Sequence, residues 1–364
     1  MNSGARDWLE RVWYPVPSPG AIPPPLPLRF AAALYGAAAR ARTALYDAGF
    51  PAARRLPVPC VSVGNVSVGG TGKTPLVAWI LGEAQALGAR PAVVSRGYGG
   101  SARRPDRVPS DGGADTAARY GDEPALLAAR FPAVPVIVGR DRHAAGLLAT
   151  ACGATMVVAD DAFQHRRLGR DLDIAVVDAS RGMGNGRLLP AGPLREPPAA
   201  LSRADLVVIN RVGLAADPGE VRAAVGRLAP RAALAEADLD FSGFADARSG
   251  APAELAPGAD VYAFSGIANP GSFRRTLESR GLRIAGWEVF PDHHAYRPGE
   301  IGRLALAAER SGATAAVTTA KDAVRIPGWG GKLPLYRAEV KLVMIRGREQ
   351  LWEALKSLAA GGRG

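Results

Sequence analysis

The 364-residue sequence contains only two cysteines, Cys60 and Cys152, both in apolar surroundings and without a C-x-x-C spacing. That scarcity excludes a disulfide framework and gives no sign of a zinc site, so a reducing cytoplasm is the expected compartment. The N-terminus lacks the basic start, apolar middle and small-residue cleavage site of a secretory signal, and export is not expected. Long apolar runs are also missing. Ten uncharged residues lie between Arg29 and Arg40, about half of the ~20 a helix needs to span a bilayer, so no transmembrane segment is expected. No repeat of fixed period is present, which sets aside solenoids and arrays.

What is present suits a folded chain. Hydrophobic residues make up 48% and charged residues 22%, a balance that builds cores rather than disorder. The length exceeds the usual span of one core and predicts two domains. The 45 Lys and Arg outnumber the 34 Asp and Glu, giving a net charge of +11. That excess favours anionic partners: nucleic acid, phospholipid headgroups or phosphorylated substrates. Charge sign does not choose among them, and it also acts on solubility alone.

Seven prolines (Pro15, Pro17, Pro19, Pro23, Pro24, Pro25 and Pro27) predict an irregular or extended lead-in, with a helix beginning after Pro27. Over Leu28–Ala48 the spacing puts Phe30, Leu34, Ala38, Ala41 and Leu45 on one side, an amphipathic pattern. Preceded by Trp8, Trp13 and Tyr14, such a helix fits a membrane interface; it equally fits ordinary packing against a domain. Apolar runs then alternate with helix-like segments: Cys60–Val63, Ala92–Ser95, Val134–Val138, Thr155–Ala159, Ile174–Val177 and Leu206–Ile209. The rhythm predicts an α/β fold, a parallel sheet with helices on both faces. After a loosened stretch at about 212–250, read as a linker, Val261–Phe264, Ile284–Val289, Ala315–Thr318 and Lys341–Ile345 predict a smaller second α/β domain. The expected division is 1–50, 51–230 and 231–364.

The most informative motif is Ser67-Val68-Gly69-Gly70-Thr71-Gly72-Lys73-Thr74, directly after one predicted strand and before a helix-like run over Leu76–Ala86. Backbone N–H groups at a helix N-terminus can surround triphosphate oxygens, Lys73 can reach the β- and γ-phosphates, and the Thr74 hydroxyl can join a Mg²⁺ shell. Ser67 replaces the first glycine of the general P-loop pattern, while Gly69, Gly70 and Gly72 keep the backbone free. The plainer reading is a Gly-rich turn with an exposed lysine. A P-loop also needs an acidic partner at a strand end. Asp160 and Asp161 close the apolar run from Thr155 and are hard oxygen donors suited to Mg²⁺; a capped turn would need only one aspartate. Which of the two meets the metal stays open.

Phosphoryl transfer to an alcohol needs a base near the acceptor and cations around the phosphate. Asp122 and Glu123 stand in a predicted turn before a helix, where acidic residues also occur for electrostatic reasons alone. Arg195 follows a glycine-rich loop with Gly182, Gly184 and Gly186, and Arg140 and Arg142 lie at a strand end. Exposed loop arginines are the alternative.

Further segments join these in order: Gly64-Asn65-Val66 before the loop, Ser95-Arg96-Gly97-Tyr98-Gly99, Gly121-Asp122-Glu123-Pro124, Asp160-Asp161-Ala162-Phe163-Gln164-His165, Leu189-Pro190-Ala191-Gly192-Pro193-Leu194-Arg195-Glu196, Phe264-Ser265-Gly266-Ile267-Ala268-Asn269-Pro270, Phe290-Pro291-Asp292-His293-His294 and Thr319-Ala320-Lys321-Asp322-Ala323-Val324. This ordered set, from about residue 28 to 325, resembles the tetraacyldisaccharide 4′-kinase family, with Ala268 where that family often has glycine. The resemblance implies transfer of the ATP γ-phosphate to the 4′-hydroxyl of a tetraacylated glucosamine disaccharide 1-phosphate, giving lipid IVA. The expected location is peripheral, on the cytoplasmic face of a Gram-negative inner membrane. It implies Asp122 as base, assisted by His293; Thr74, Asp160 and Asp161 for Mg²⁺, with Glu123 and Glu196 as further candidates; and Lys73, Arg142 and Arg195 for phosphate. Alone, His293 reads as a structural or surface histidine. The lipid and the membrane surface are the implied partners, with no nucleic acid and no obligate protein partner. Because Asp122 and His293 fall in different predicted domains, closure of one domain on the other is expected to bring them together.

Two other readings compete. A nucleotide-switched, membrane-associated assembly factor also carries a P-loop, although the Asn-Lys-x-Asp run of guanine specificity is absent from Ile209-Asn210-Arg211-Val212. A nucleic-acid-binding ATPase rests on charge alone, with no aromatic-basic module in view.

Overall fold

The computed structural model describes residues 3–15 and 22–361, with side chains from Trp8 onward. Pro17 and Pro19 of the lead-in lie outside the described residues. The elements run α1 (Ser3–Trp13), α2 (Leu26–Asp47), β1 (Cys60–Gly64), α3 (Lys73–Ala86), β2 (Pro91–Ser95), β3 (Asp106–Arg107), α4 (Ala114–Tyr120), α5 (Asp122–Arg130), β4 (Val136–Val138), α6 (Arg142–Ala151), β5 (Met156–Asp160) and β6 (Leu172–Asp178). They continue through β7 (Leu206–Asn210), α7 (Pro218–Leu228), β8 (Ala233–Asp246), β9 (Pro252–Ala253), β10 (Asp260–Ser265), α8 (Pro270–Ser279), β11 (Arg283–Val289), α9 (Pro298–Arg310), β12 (Ala315–Thr319), α10 (Ala320–Ala323), β13 (Leu335–Arg346) and α11 (Arg348–Ala360).

Two compact units share this chain. The first comprises Met1–Ser95, Asp141–Leu239 and Leu342–Gly364; the second comprises Arg96–Arg140 and Asp240–Lys341. This partition differs from the contiguous one expected from the sequence. Arg96–Arg140 joins the later part of the chain because α5 packs on α10. The stretch at 212–250 is likewise no linker: it holds α7 and the 14-residue strand β8. Asp217 caps α7 by accepting from Glu220 N, and Pro218 occupies the first turn, where a missing N–H costs nothing.

In the first unit the strands order as β8-β7-β6-β1-β5-β2, all neighbours parallel. Every residue of β1, β2, β5, β6 and β7 is buried. That is why these strands read as continuous apolar runs: both sheet faces are covered. Helix α3 packs on β1, β2 and β5, and α6 on β2 and β5.

Helix α2 starts at Leu26, two residues before the predicted start, because Pro27 is tolerated in the first turn. Its Gly36 side faces the unit, where an added Cβ would meet Leu188 at 2.9 Å. The predicted apolar stripe points the other way, with Phe30, Leu34 and Leu45 each more than half exposed. Among the described residues no helix is long and apolar enough to cross a membrane.

The second unit is built on parallel neighbours β11-β10-β12-β13. Alternation along β10 splits its core: Tyr262 and Phe264 pack with Ile301 and Leu304 of α9, whereas Val261 and Ala263 pack with Phe273 and Leu277 of α8. The antiparallel pair β3–β4 and helices α4 and α5 complete this unit.

Candidate active site

In the first unit the phosphate loop bridges the C-terminal end of β1 and the N-terminus of α3. Asn65, fully buried, organises it: its Nδ2 donates to Thr71 Oγ1 at 3.1 Å and its Oδ1 accepts from Lys73 Nζ at 3.2 Å. Across the loop, Asn210 at the end of β7 donates through Nδ2 to the Thr71 carbonyl at 2.9 Å. Gly72 has φ 90°, and a Cβ there would overlap the Asn210 amide, so both conformation and space demand glycine. The positive end of the α3 dipole faces into this loop, an arrangement suited to anions.

The strand end expected to supply acid does so. Asp160 closes β5 and is buried, with Ser95 Oγ at 3.4 Å from its Oδ2. Asp161 adopts φ 47° and meets Lys73 Nζ at 3.3 Å and Arg195 Nη1 at 2.9 Å. Burial alone would raise its pKa, but Lys73 and then Arg195 outweigh that and hold its carboxyl below the usual range. Thr74 sits in the first turn of α3. Lys73, Asp161 and Arg195 are therefore gathered in one place, with Thr74 and Asp160 next to them in the chain. Arg142, at the start of α6, is 3% exposed and donates to the Asp160 carbonyl at 3.4 Å. Glu196 is buried in an ion pair with Arg203, whose guanidinium stacks over Phe163.

The remaining predicted residues cluster in the second unit. His293 Nδ1 lies 2.8 Å from Asp122 Oδ2, although the two are 171 positions apart. Both belong to the same compact unit, so closure of one domain on another is not what brings them together; Arg96–Arg140 groups with Asp240–Lys341 rather than with the segments next to it in sequence. Asp122 is buried at the start of α5. Burial pushes its pKa up, yet the His293 hydrogen bond, Lys321 and Arg325 overcome this and bring it to about 2. Glu123 faces Lys321 Nζ at 3.2 Å. The neighbouring His294 is structural, stacked on Phe290 and 3.2 Å from Glu300.

Three comparisons bear on this arrangement. The family model described as tetraacyldisaccharide-1-P 4′-kinase matches residues 25–360. The chain belongs to the tetraacyldisaccharide-1-P 4′-kinase family. A tetraacyldisaccharide 4′-kinase of Anaeromyxobacter sp. (strain Fw109-5) is 44% identical over 363 residues, covering 97% of each chain. The one from Alkalilimnicola ehrlichii is 46% identical over 302 residues, covering 83% of each. Among solved structures, the apo form of LpxK from Aquifex aeolicus in complex with ATP superposes with a TM-score of 0.72 at 30% identity, over 90% of this chain and 96% of that one. The P-loop NTPase-like α/β fold expected from the sequence is thus the fold of the family.

Sequence reasoning overlooked Asn65, Asn210, Lys321 and Arg325. Asn65 and Lys321 stood inside quoted motifs but carried no chemical signal of their own. Asn210 was weighed only as a mismatch to a guanine-recognition run. Arg325 follows its motif by one residue, and only the fold brings it toward Asp122.

Proposed function

We propose that this chain transfers the γ-phosphate of ATP to the 4′-hydroxyl of tetraacyldisaccharide 1-phosphate. The observation that carries the reading is the 2.8 Å pairing of His293 with Asp122 in a chain that also holds a phosphate loop. A nucleotide switch needs the loop alone, whereas a kinase also needs a group to take the acceptor's proton. Asp122, held ionised well below neutrality, is an acceptor toward Nδ1, so His293 carries its proton on Nδ1 and presents Nε2 as an acceptor, with Lys321 Nζ 3.5 Å from it. In this reading Asp122 orients and His293 Nε2 receives the hydroxyl proton, a shift of role from the aspartate to the histidine.

Lys73 and Arg195, which neutralise Asp161, are the cations that take the phosphate oxygens. The hard oxygen donors Thr74, Asp160 and Asp161 fit Mg²⁺, which when bound offsets phosphate charge. Glu123 is left out of that set, since Lys321 already pairs it, and so is Glu196, which Arg203 holds. Arg142, buried and bonded to the Asp160 carbonyl, is read as a support for Asp160 rather than a phosphate ligand.

The lipid substrate places the work at a membrane surface. The outward stripe of α2, with Phe30, Leu34 and Leu45 bare, is the segment we assign to the lipid interface, and the +11 charge suits anionic headgroups. The assigned location is the cytoplasmic face of the inner membrane, peripherally bound.

The test is transfer of label from γ-labelled ATP to tetraacyldisaccharide 1-phosphate in mixed micelles, for wild type, Lys73→Ala and Asp122→Ala. Mg²⁺-dependent label on the lipid, lost in both variants, is the expected result. ATP hydrolysis without labelled lipid would instead make the chain a nucleotide-switched factor.

A further inference from the structure

Two of the motifs supply no reacting group to that reading, Phe264–Pro270 and Thr319–Val324. They meet at Gly266. Asp322, wholly buried, accepts through Oδ1 from Gly266 N at 2.9 Å, Tyr296 Oη at 3.0 Å and Arg325 Nη2 at 2.6 Å, and through Oδ2 from Thr319 Oγ1 at 2.6 Å. The Gly266 carbonyl accepts in turn from Arg325 Nη2 at 3.1 Å and from His293 N at 3.2 Å. Arg325 Nε donates to the Lys321 carbonyl at 3.1 Å and lies 3.9 Å from Asp122 Oδ2. One guanidinium therefore binds the same carbonyl as the His293 backbone and faces the carboxylate that the His293 ring binds.

Packing does not account for an arginine here. Its side chain is 8% exposed, and its Nη1 makes no hydrogen bond among the described residues. A buried cation with an unmet donor is destabilising compared with an apolar side chain of the same volume. His293 itself is held at φ 59°, a left-handed backbone that a residue with a Cβ adopts only under constraint. The bond from His293 N to Gly266 O supplies that constraint, and Asp322 and Arg325 secure Gly266 from both of its polar sides.

We propose that Arg325, locked by Asp322, is a positioning residue for the Asp122–His293 pair: it fixes the Gly266 turn that aims the His293 ring and steadies the carboxylate that receives it. The role rests on the assignment of that pair as the proton-accepting machinery. It gives the two motifs one task, since Gly266 comes from the first and Asp322 from the second.

The experiment compares Arg325→Met and Arg325→Lys on the wild-type and His293→Ala backgrounds, measuring kcat and both KM values for lipid phosphorylation. Arg325→Met should lower kcat at least tenfold with KM for ATP within twofold, and Arg325→Lys should fall between it and wild type. On the His293→Ala background the Arg325→Met loss should vanish, because a residue acting through the histidine has nothing left to act on. A wild-type kcat in Arg325→Met, or an equal loss on both backgrounds, overturns the proposal. If Arg325→Met does not fold, Arg325→Lys is read by the same two criteria. Failure of the underlying assignment has a different signature, a His293→Ala enzyme with undiminished kcat.

Discussion

Replacing Gly72 by alanine probes how the phosphate loop is kept in shape. At φ 90° an alanine pays the left-handed penalty of roughly 1–2 kcal/mol. The new methyl also overlaps the Asn210 amide, which is fully buried and bonded to the Thr71 carbonyl. Displacing that amide leaves buried polar groups unmet, at about 1–3 kcal/mol. The two effects together predict a loss of about 2–5 kcal/mol for Gly72→Ala. Asn210→Ala removes the obstacle and the hydrogen bond at once, so on that background Gly72→Ala should cost only the backbone strain. Urea unfolding of the four proteins of the cycle, followed by circular dichroism, measures the difference. A coupling of at least 1 kcal/mol is expected, together with at least tenfold weaker ATP binding by the single Gly72→Ala variant. Equal costs on the two backgrounds, within about 0.5 kcal/mol, would refute the argument that Asn210 is what Gly72 makes room for.

Other perturbations separate the remaining roles. Asp122 has a folded-state pKa depressed from 3.8 to about 2, so its contribution is complete above pH 4 and is lost as pH falls toward 2. By linkage that contribution is about 2 kcal/mol; the stability gap between wild type and Asp122→Asn should therefore narrow over this window, and a constant gap in acid titrations of unfolding would contradict it. His293→Ala should reduce lipid-phosphorylating kcat by roughly 10²–10⁴-fold, whereas His294→Ala, which removes a stacking partner of Phe290, should lower the melting temperature and leave kcat within about threefold; reversed outcomes would exchange the two histidines. Phe30→Asp with Leu34→Asp changes only exposed positions of α2, so unfolding free energy should stay within about 0.5 kcal/mol while flotation with anionic vesicles is lost.

Much of the first unit is legible in the sequence because its strands are buried on both faces and appear as unbroken apolar runs ending where ligands bind. Asp160 and Asp161 could be assigned to a strand end from that pattern alone. β8 escaped because three of its buried positions are alanines (Ala235, Ala237 and Ala245), which carry little hydrophobic signal, and Glu236 between two of them breaks the apolar run. The Asp217-Pro218-Gly219-Glu220 start of α7 was nonetheless a readable helix signal. The unit boundaries were not readable. Nothing local to Arg96–Arg140 shows that α5 packs on α10, some 200 positions later, and this one pairing decides where Asp122 belongs.

The same long-range origin governs the electrostatics of the candidate residues within each unit. Asp161 is met by Lys73 from the phosphate loop and Arg195 from a later loop; Asp122 by His293 and Arg325; Glu123 by Lys321. In each case the acid and its partner come from different segments, so each pairing fastens parts of the chain that are far apart in sequence. Burying such groups singly would cost several kcal/mol per ion, and the pairing offsets that cost without a ligand. Under the proposed assignment a triphosphate, which brings more negative charge than one aspartate, would compete for Lys73 and Arg195 with charge to spare. On the same assignment the cations are thereby pre-placed for phosphate, and the carboxylate they would release is of the type that Mg²⁺ accepts.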